Sequence, residues 1–175
     1  ESKEQELTEK QAALPKDIEW HFVGHLQTNK VKYIAPYISL IHSVDSEKLL
    51  AEIDKQAAKF NRVIYCLLEL KVAQEETKFG FAPDDVRTLY KENALAKYPN
   101  VRVKGLMGMA SNTDDEKQIR QEFSSISALF KEIRSQYDPN FDVLSMGMTH
   151  DWKIAVEEGS TIVRIGSFIF GERVY

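Results

Sequence analysis

The sequence predicts an α/β fold, read as a (β/α)₈ TIM-type barrel that holds about six of its eight strands. Three observations predict it. Short apolar runs alternate with helical patterns along the chain, the order that builds parallel strands joined by right-handed crossovers. Six strands with their helices take up about 157 residues, about 26 per unit, so eight such units need roughly 210, near the lower end for this barrel. The chain also opens on a helix-favouring segment that no strand precedes. Within a barrel, that segment is the helix of a unit whose strand is missing, so the expectation is a barrel lacking its first two strands. An open doubly wound sheet needs no missing pieces and is the alternative.

Each element has its own signal. Glu1 to Leu14 is charged and helix-favouring, with Leu7 and Leu14 one heptad apart. The six apolar runs predict strands at Glu19–Leu26, Ile38–Val44, Arg62–Val72, Val101–Met107, Phe141–Met146 and Thr161–Ile165. Between them, Ser46–Phe60 places Leu49, Leu50, Ile53, Ala57 and Phe60 on one stripe. Pro83 followed by Asp84 and Asp85 opens a helix that runs to about Lys97. Thr113–Tyr137 carries Ile119, Phe123, Ile126, Phe130 and Ile133 on one face, with Thr113 and Glu116 as a capping box. A short helix at Asp151–Glu158 is stopped by Gly159. No linker or low-complexity segment interrupts the pattern, so residues 1–175 read as one domain.

Composition excludes several classes of function. Hydrophobic residues make up 43% and charged residues 29%, an ordinary globular balance. The net charge is −4, with Lys and Arg dispersed, which argues against a nucleic-acid surface. No apolar run is long enough for a membrane span, and a cytoplasmic location follows by default. The single cysteine, Cys66, lies in the apolar run Val63–Leu68 and reads as a buried inert thiol.

The residues that point to chemistry lie in the last thirty positions. Two apolar runs there each end in a small-residue turn, one at Ser145–Thr149 and one at Gly166–Ser167. Gly147 and Gly166 let backbone approach a ligand closely, while Ser145, Thr149 and Ser167 add hydroxyls. Asp151 starts a helix, placing free backbone N–H groups and a positive dipole end beside the first turn. Two such turns from neighbouring strands describe a phosphate cradle; ordinary strand-to-helix turns are the bland alternative.

Several motifs together resemble a known family. Glu19-Trp-His-Phe-Val-Gly-His-Leu-Gln-Thr-Asn-Lys30, His42-Ser-Val-Asp45, Glu75-Glu-Thr-Lys-Phe-Gly80 and Gly105-Leu-Met-Gly-Met109 come in order. They are followed by Leu144-Ser-Met-Gly-Met-Thr-His-Asp151, Gly159-Ser-Thr-Ile-Val-Arg-Ile-Gly166 and Ile169-Phe-Gly-Glu-Arg173. The set resembles the pyridoxal phosphate homeostasis proteins, single-domain relatives of the N-terminal barrel of alanine racemase. The resemblance spans the whole chain. It implies pyridoxal 5′-phosphate bound at the carboxyl ends of the barrel strands, in a homeostasis role without established turnover. It further implies that Ser145, Gly147, Met148, Thr149, Gly166 and Ser167 hold the phosphate and that Arg164 faces the pyridine nitrogen. An arginine keeps its proton, so the ring nitrogen stays unprotonated and the ring is a weaker electron sink. The family's Schiff-base lysine lies on the first barrel strand, in an Ala-Val-Ser-Lys-like stretch. This chain resembles the family from the Glu of a later Gly-Glu-Asn-like turn onward, so neither that strand nor its lysine has a counterpart here. Covalent attachment of the cofactor is therefore expected to be lost. A racemase-like enzyme is the alternative, but it needs that lysine and a second acid–base residue. A phosphosugar enzyme on a similar barrel would need a catalytic group at a strand end.

The remaining candidates are weaker. His21, in the Trp-His-Phe motif, is expected to line the barrel interior near the cofactor ring, or else to be a satisfied core histidine. His21 and His25 lie on one face of a strand but about 13 Å apart, too far for one metal ion. His42 could face the pocket mouth, Lys3, Lys30, Lys71 and Lys104 lie near strand ends or turns, and Asn29 suits a helix N-cap. The charged stretch Gln74–Gly80 reads as a loop over the pocket, and Met107, Met109, Met146 and Met148 as packing. No catalytic residue and no metal ligand are assigned. An unclosed barrel exposes strand edges, so either a homodimer through those edges, strand exchange or a marginally stable fragment is expected.

Overall fold

A computed structural model describes residues 1–72 and 79–171. The expected loop at 74–80 therefore lies outside the described residues up to position 78, as do positions 172 and 173 of the last motif. The helix α1 (Glu4–Ala13) comes first and buries Leu7, whereas Leu14 follows its end and is exposed. The strand β1 (His21–Phe22) is much shorter than the apolar run containing it. A 3₁₀ turn (Thr28–Lys30) then leads into α2 (Val31–Ile34), and Asn29 sits inside that turn, not at a cap. Then come β2 (Leu40–Val44), α3 (Glu47–Lys59), β3 (Ile64–Glu69), α4 (Pro83–Lys91) and β4 (Val101–Met107). The chain continues through α5 (Glu116–Gln136), β5 (Val143–Ser145), α6 (Trp152–Glu157) and α7 (Ser167–Phe170).

The five strands form one parallel sheet in sequence order, β1-β2-β3-β4-β5. The expected sixth strand reduces to a single parallel bridge, Ser145 to Ile162. Its neighbourhood is nonetheless pinned. The Ser160 hydroxyl lies within hydrogen-bond reach of the Leu144, Met146 and Ile162 carbonyls, with one proton to give, and the Thr161 and Ile162 amides both reach Leu144 O. Side-chain bonds replace the ladder there, which is why a short apolar run follows the barrel path without regular strand geometry. At the other end, Glu1 lies beside β1: its amine donates to His21 O, and the Val23 amide donates to Glu1 O. The architecture is an α/β barrel of five parallel strands that does not close among the described residues.

Helix faces and caps follow the sequence with one displacement. Ile119, Phe123, Ile126, Phe130 and Ile133 of α5 are buried against the sheet, each contributing about 1.5–3 kcal/mol. Its cap is Asp115, whose carboxylate accepts from the Lys117 and Gln118 amides, in place of the expected Thr113. A carboxylate at that position also meets the helix dipole favourably. In α3 the Ser46 hydroxyl accepts from the Leu49 amide, and Phe60, expected on the buried stripe, lies past the helix end and is exposed. These helices and the outer sheet face enclose the main core, which includes Cys66. Burial raises the Cys66 thiol far above its ordinary value, so it stays protonated and inert.

Candidate functional site

The inner face of the sheet is layered by strand alternation. Leu40, Leu67 and Met107 form a separate apolar cluster with Val143 and Ile162 packed on it. Two residues further along four of those segments stand His42, Glu69, Ser145 and Arg164. A strand's side chains repeat every two residues, so these four share the inner face one layer nearer the strands' carboxyl ends. The barrel interior thus changes from apolar to polar within one residue pair.

That polar layer is joined by hydrogen bonds. His21 Nδ1 lies 3.1 Å from His42 Nε2, and His42 Nδ1 lies 2.9 Å from Ser145 Oγ. Arg164 donates from Nη1 to Ser145 Oγ at 2.7 Å and to Ser145 O at 3.0 Å, and from Nη2 to Gly108 O at 3.2 Å. Among the described residues its Nε has no hydrogen-bond partner. His42 is buried, and burial, with repulsion from His21, Arg164 and the Glu1 amine, pushes its pKa down to about 3. Burial lowers His21 as well. Both rings are neutral at physiological pH.

The two turns expected to cradle a phosphate meet above this layer. Thr149 Oγ1 and Ser167 Oγ are 3.0 Å apart, and the Arg164 amide donates to Gly147 O at 2.9 Å. Gly147 has φ +91°, and a Cβ there would sit 2.6 Å from the Ala155 Cβ and 3.0 Å from the Trp152 Cα. Its glycine serves backbone shape and close packing on α6. Gly166 is different: a Cβ there meets nothing within 4 Å, which is the open approach a bound group requires. The amides of Thr149, His150, Gly166, Ser167 and Phe168 make no hydrogen bond among the described residues. Five free amides and two hydroxyls fit a phosphate. The start of α6 departs from expectation. Asp151 Oδ1 accepts from the Met148 amide at 2.6 Å, so that donor is taken and a carboxylate stands where free amides were expected. Ser145 departs too, being fully buried with its hydroxyl between His42 and Arg164.

Beside the turns, a cavity of about 380 Å³ opens at the carboxyl ends of the strands. Gly24, Ser43, Glu69, Lys71, Met109 and Met148 are among the residues that line it. His25 is held at its rim by Asp45 at 3.4 Å and by the Phe79 ring at 4.3 Å, well apart from His21. Burial, reinforced by Asp45 and opposed by Arg164, raises the Glu69 carboxyl to about 7. Its native pKa lies above its unfolded value, so its stabilising contribution is complete below about pH 4.5 and is lost as pH rises toward 7. Glu69→Gln is therefore expected to be more stable than the parent at pH 8, by about 2–3 kcal/mol, with the gap closing toward pH 4.5. Urea unfolding at both pH values tests this, and a gap independent of pH would refute it.

The structure gathers Thr149, Arg164, Gly166 and Ser167 at one place, with Gly147 beneath and Met148 at the cavity wall. His21 joins them through His42 and Ser145. Sequence reading missed His42 as the link and Glu69 as a buried acid. The signal available was the two-residue offset from Leu40 to His42 and from Leu67 to Glu69, a polar residue placed on an inward strand face.

Comparison with known proteins identifies the family. The alanine racemase N-terminal domain family matches residues 2–174. A pyridoxal phosphate homeostasis protein of Aquifex aeolicus is 44% identical over 176 residues, covering 100% of this chain and 76% of that protein. One from Pasteurella multocida is 35% identical over 159 residues, covering 90% of this chain and 67% of that protein. The structure of PipY from Synechococcus elongatus with PLP bound superposes with a TM-score of 0.85 at 32% identity, over 97% of this chain and 79% of that one. With these motifs, this barrel and these relatives, the chain belongs to the alanine racemase N-terminal domain family and, within it, to the pyridoxal phosphate homeostasis proteins.

Proposed function

We propose that this chain binds pyridoxal 5′-phosphate at the carboxyl ends of its strands and serves in the homeostasis of that cofactor. The observation that carries this is the meeting of the two turns at Thr149 and Ser167, 3.0 Å apart, with Arg164 tied to the first turn through Gly147 O. In this reading the phosphate takes the Thr149 and Ser167 hydroxyls and the free amides around Gly166. Arg164 donates to the ring nitrogen, Met148 packs against the ligand, and Gly147 shapes the turn. Ser145 is assigned to holding Arg164, not to the phosphate, because its hydroxyl is already shared between Arg164 and His42. His21 supports the same layer from β1.

The bound cofactor supplies an aldehyde and an electron-sink ring. The residues around it favour carriage over turnover: a cationic guanidinium leaves the ring nitrogen unprotonated and weakens the sink. Attachment is assigned to these noncovalent contacts. We place this work in the cytoplasm, with two copies associating through the edges of the unclosed sheet. Titration with pyridoxal 5′-phosphate, followed by borohydride reduction and mass spectrometry, tests the reading. One-to-one saturable binding, reversed by dialysis and leaving no lysine adduct, is expected. One stoichiometric pyridoxyl-lysine would overturn the noncovalent assignment, and Lys71, which lines the cavity, is where it would be sought. Absence of binding would overturn the cofactor reading, and racemisation of an amino acid would overturn carriage without turnover.

A further inference from the structure

The chain His21–His42–Ser145–Arg164 crosses the barrel interior from β1 and β2 to β5 and the segment after it. Its direction follows from which atoms carry protons. Arg164 has donors only, so Ser145 Oγ must accept from it. The remaining question is the 2.9 Å contact between Ser145 Oγ and His42 Nδ1. If Nδ1 carried a proton, Ser145 would accept twice and its own hydroxyl proton would be buried without an acceptor. Ser145 is fully buried, and among the described residues its hydroxyl has no other partner, so that arrangement leaves an unmade bond in a dry site. With Ser145 donating to Nδ1, every bond is satisfied. His42 then carries its proton on Nε2 and donates to His21 Nδ1, 3.1 Å away. All bonds run one way, from Arg164 to His21.

We propose that His42 is a positioning residue for Arg164. By accepting a hydrogen bond from the Ser145 hydroxyl, it turns the lone pairs of Ser145 toward the guanidinium and fixes its orientation between Ser145 and Gly108 O. This inference rests on the cofactor reading given above for the role of Arg164, although the direction of the chain does not. The chain is no proton relay, because its first member does not release a proton. Its contribution is geometric. Nη1 is held by both oxygens of Ser145 and Nη2 by Gly108 O, while Nε stays uncommitted among the described residues. Protonating His21 on Nδ1 would move the His42 proton from Nε2 to Nδ1, and with Arg164 still donating, the Ser145 hydroxyl would then face two donors. On His21, burial and the Glu1 amine oppose that charge and Glu19 favours it; on His42, burial, His21, Arg164 and the Glu1 amine oppose it.

The test uses the whole chain with ¹⁵N-labelled histidine. At pH 7, without cofactor, His42 is expected to show a pyridine-type Nδ1 and a pyrrole-type Nε2. A protonated Nδ1 or a cationic ring would overturn the inference. His42→Leu, which removes the acceptor, is expected to weaken pyridoxal 5′-phosphate binding about tenfold. His42→Asn, whose side-chain oxygen takes the place of Nδ1, is expected to stay within about threefold of the parent. Parental affinity in His42→Leu would overturn the positioning role. If that variant does not fold, loss of affinity in a folded His42→Asn does the same. If the parent itself fails to bind, the cofactor reading falls, and the histidine spectrum still decides the direction of the chain.

Discussion

Arg164→Ala is expected to raise the dissociation constant for pyridoxal 5′-phosphate about a hundredfold, equivalent to about 2.7 kcal/mol. Among the described residues of the polar layer the guanidinium is the one cation, and truncating it removes the donor assigned to the ring nitrogen. It also removes the donor that Arg164 supplies to Ser145 Oγ and to Gly108 O, whereas Ser145 O keeps the Gly108 amide. Unmade bonds of this kind are costly in a buried site, so the variant should also melt several degrees lower. Arg164→Lys separates charge from shape. One ammonium cannot hold the Ser145 pair and the Gly108 carbonyl while presenting a further donor. Its affinity is expected to fall roughly as far as that of the alanine variant. Calorimetric titration of each variant, with circular dichroism to confirm the fold, checks both. A lysine variant with parental affinity would show that charge alone suffices.

The second large effect is structural. Gly105→Ala is expected to destabilise the chain by about 3 kcal/mol or more. A Cβ at position 105 would lie 1.6 Å from the carbonyl oxygen of Val143 on β5, and no side-chain rotation relieves a clash with backbone. The close approach has a local cause. Cys66 pairs with Val103 and Leu67 with Gly105, so Lys104 is an extra residue in β4 that shifts the register and brings Gly105 against β5. Separating β4 from β5 would break the Asp142 amide to Lys104 O bond and the Gly108 amide to Ser145 O bond. The latter carries Ser145 and Gly108, the two residues that hold Arg164. Lower stability should therefore come with weaker cofactor binding. Thermal melts are expected to move down by roughly 6–12 °C. An unchanged melting temperature would mean that β4 and β5 separate without cost.

Much of this architecture was legible in the chain itself. The helix faces of α3 and α5 follow from apolar spacing, because a helix that packs on a sheet must present one stripe every 3.6 residues. Run lengths overstated the strands: Glu19–Leu26 became two residues of β1, and Thr161–Ile165 became one bridge. An apolar run records burial, and burial does not require a ladder when Ser160 and Thr161 side chains meet the neighbouring carbonyls. The cap of α5 moved from Thr113 to Asp115 because both residue types cap well and local sequence does not rank them.

The site divides in the same way. Residue order alone specifies the parallel α/β order, the family, the two small-residue turns and the arginine two residues before the second turn. These are properties of neighbours along the chain, where spacing and residue type carry the physics. The packed fold alone reveals that Ser145 turns inward, that Asp151 occupies the Met148 amide, and that His42 lies within reach of a serine 103 positions away. Those facts depend on which strands face one another across the barrel. A hydroxyl, a carboxylate or an imidazole carries no record in the sequence of the partner that will satisfy it.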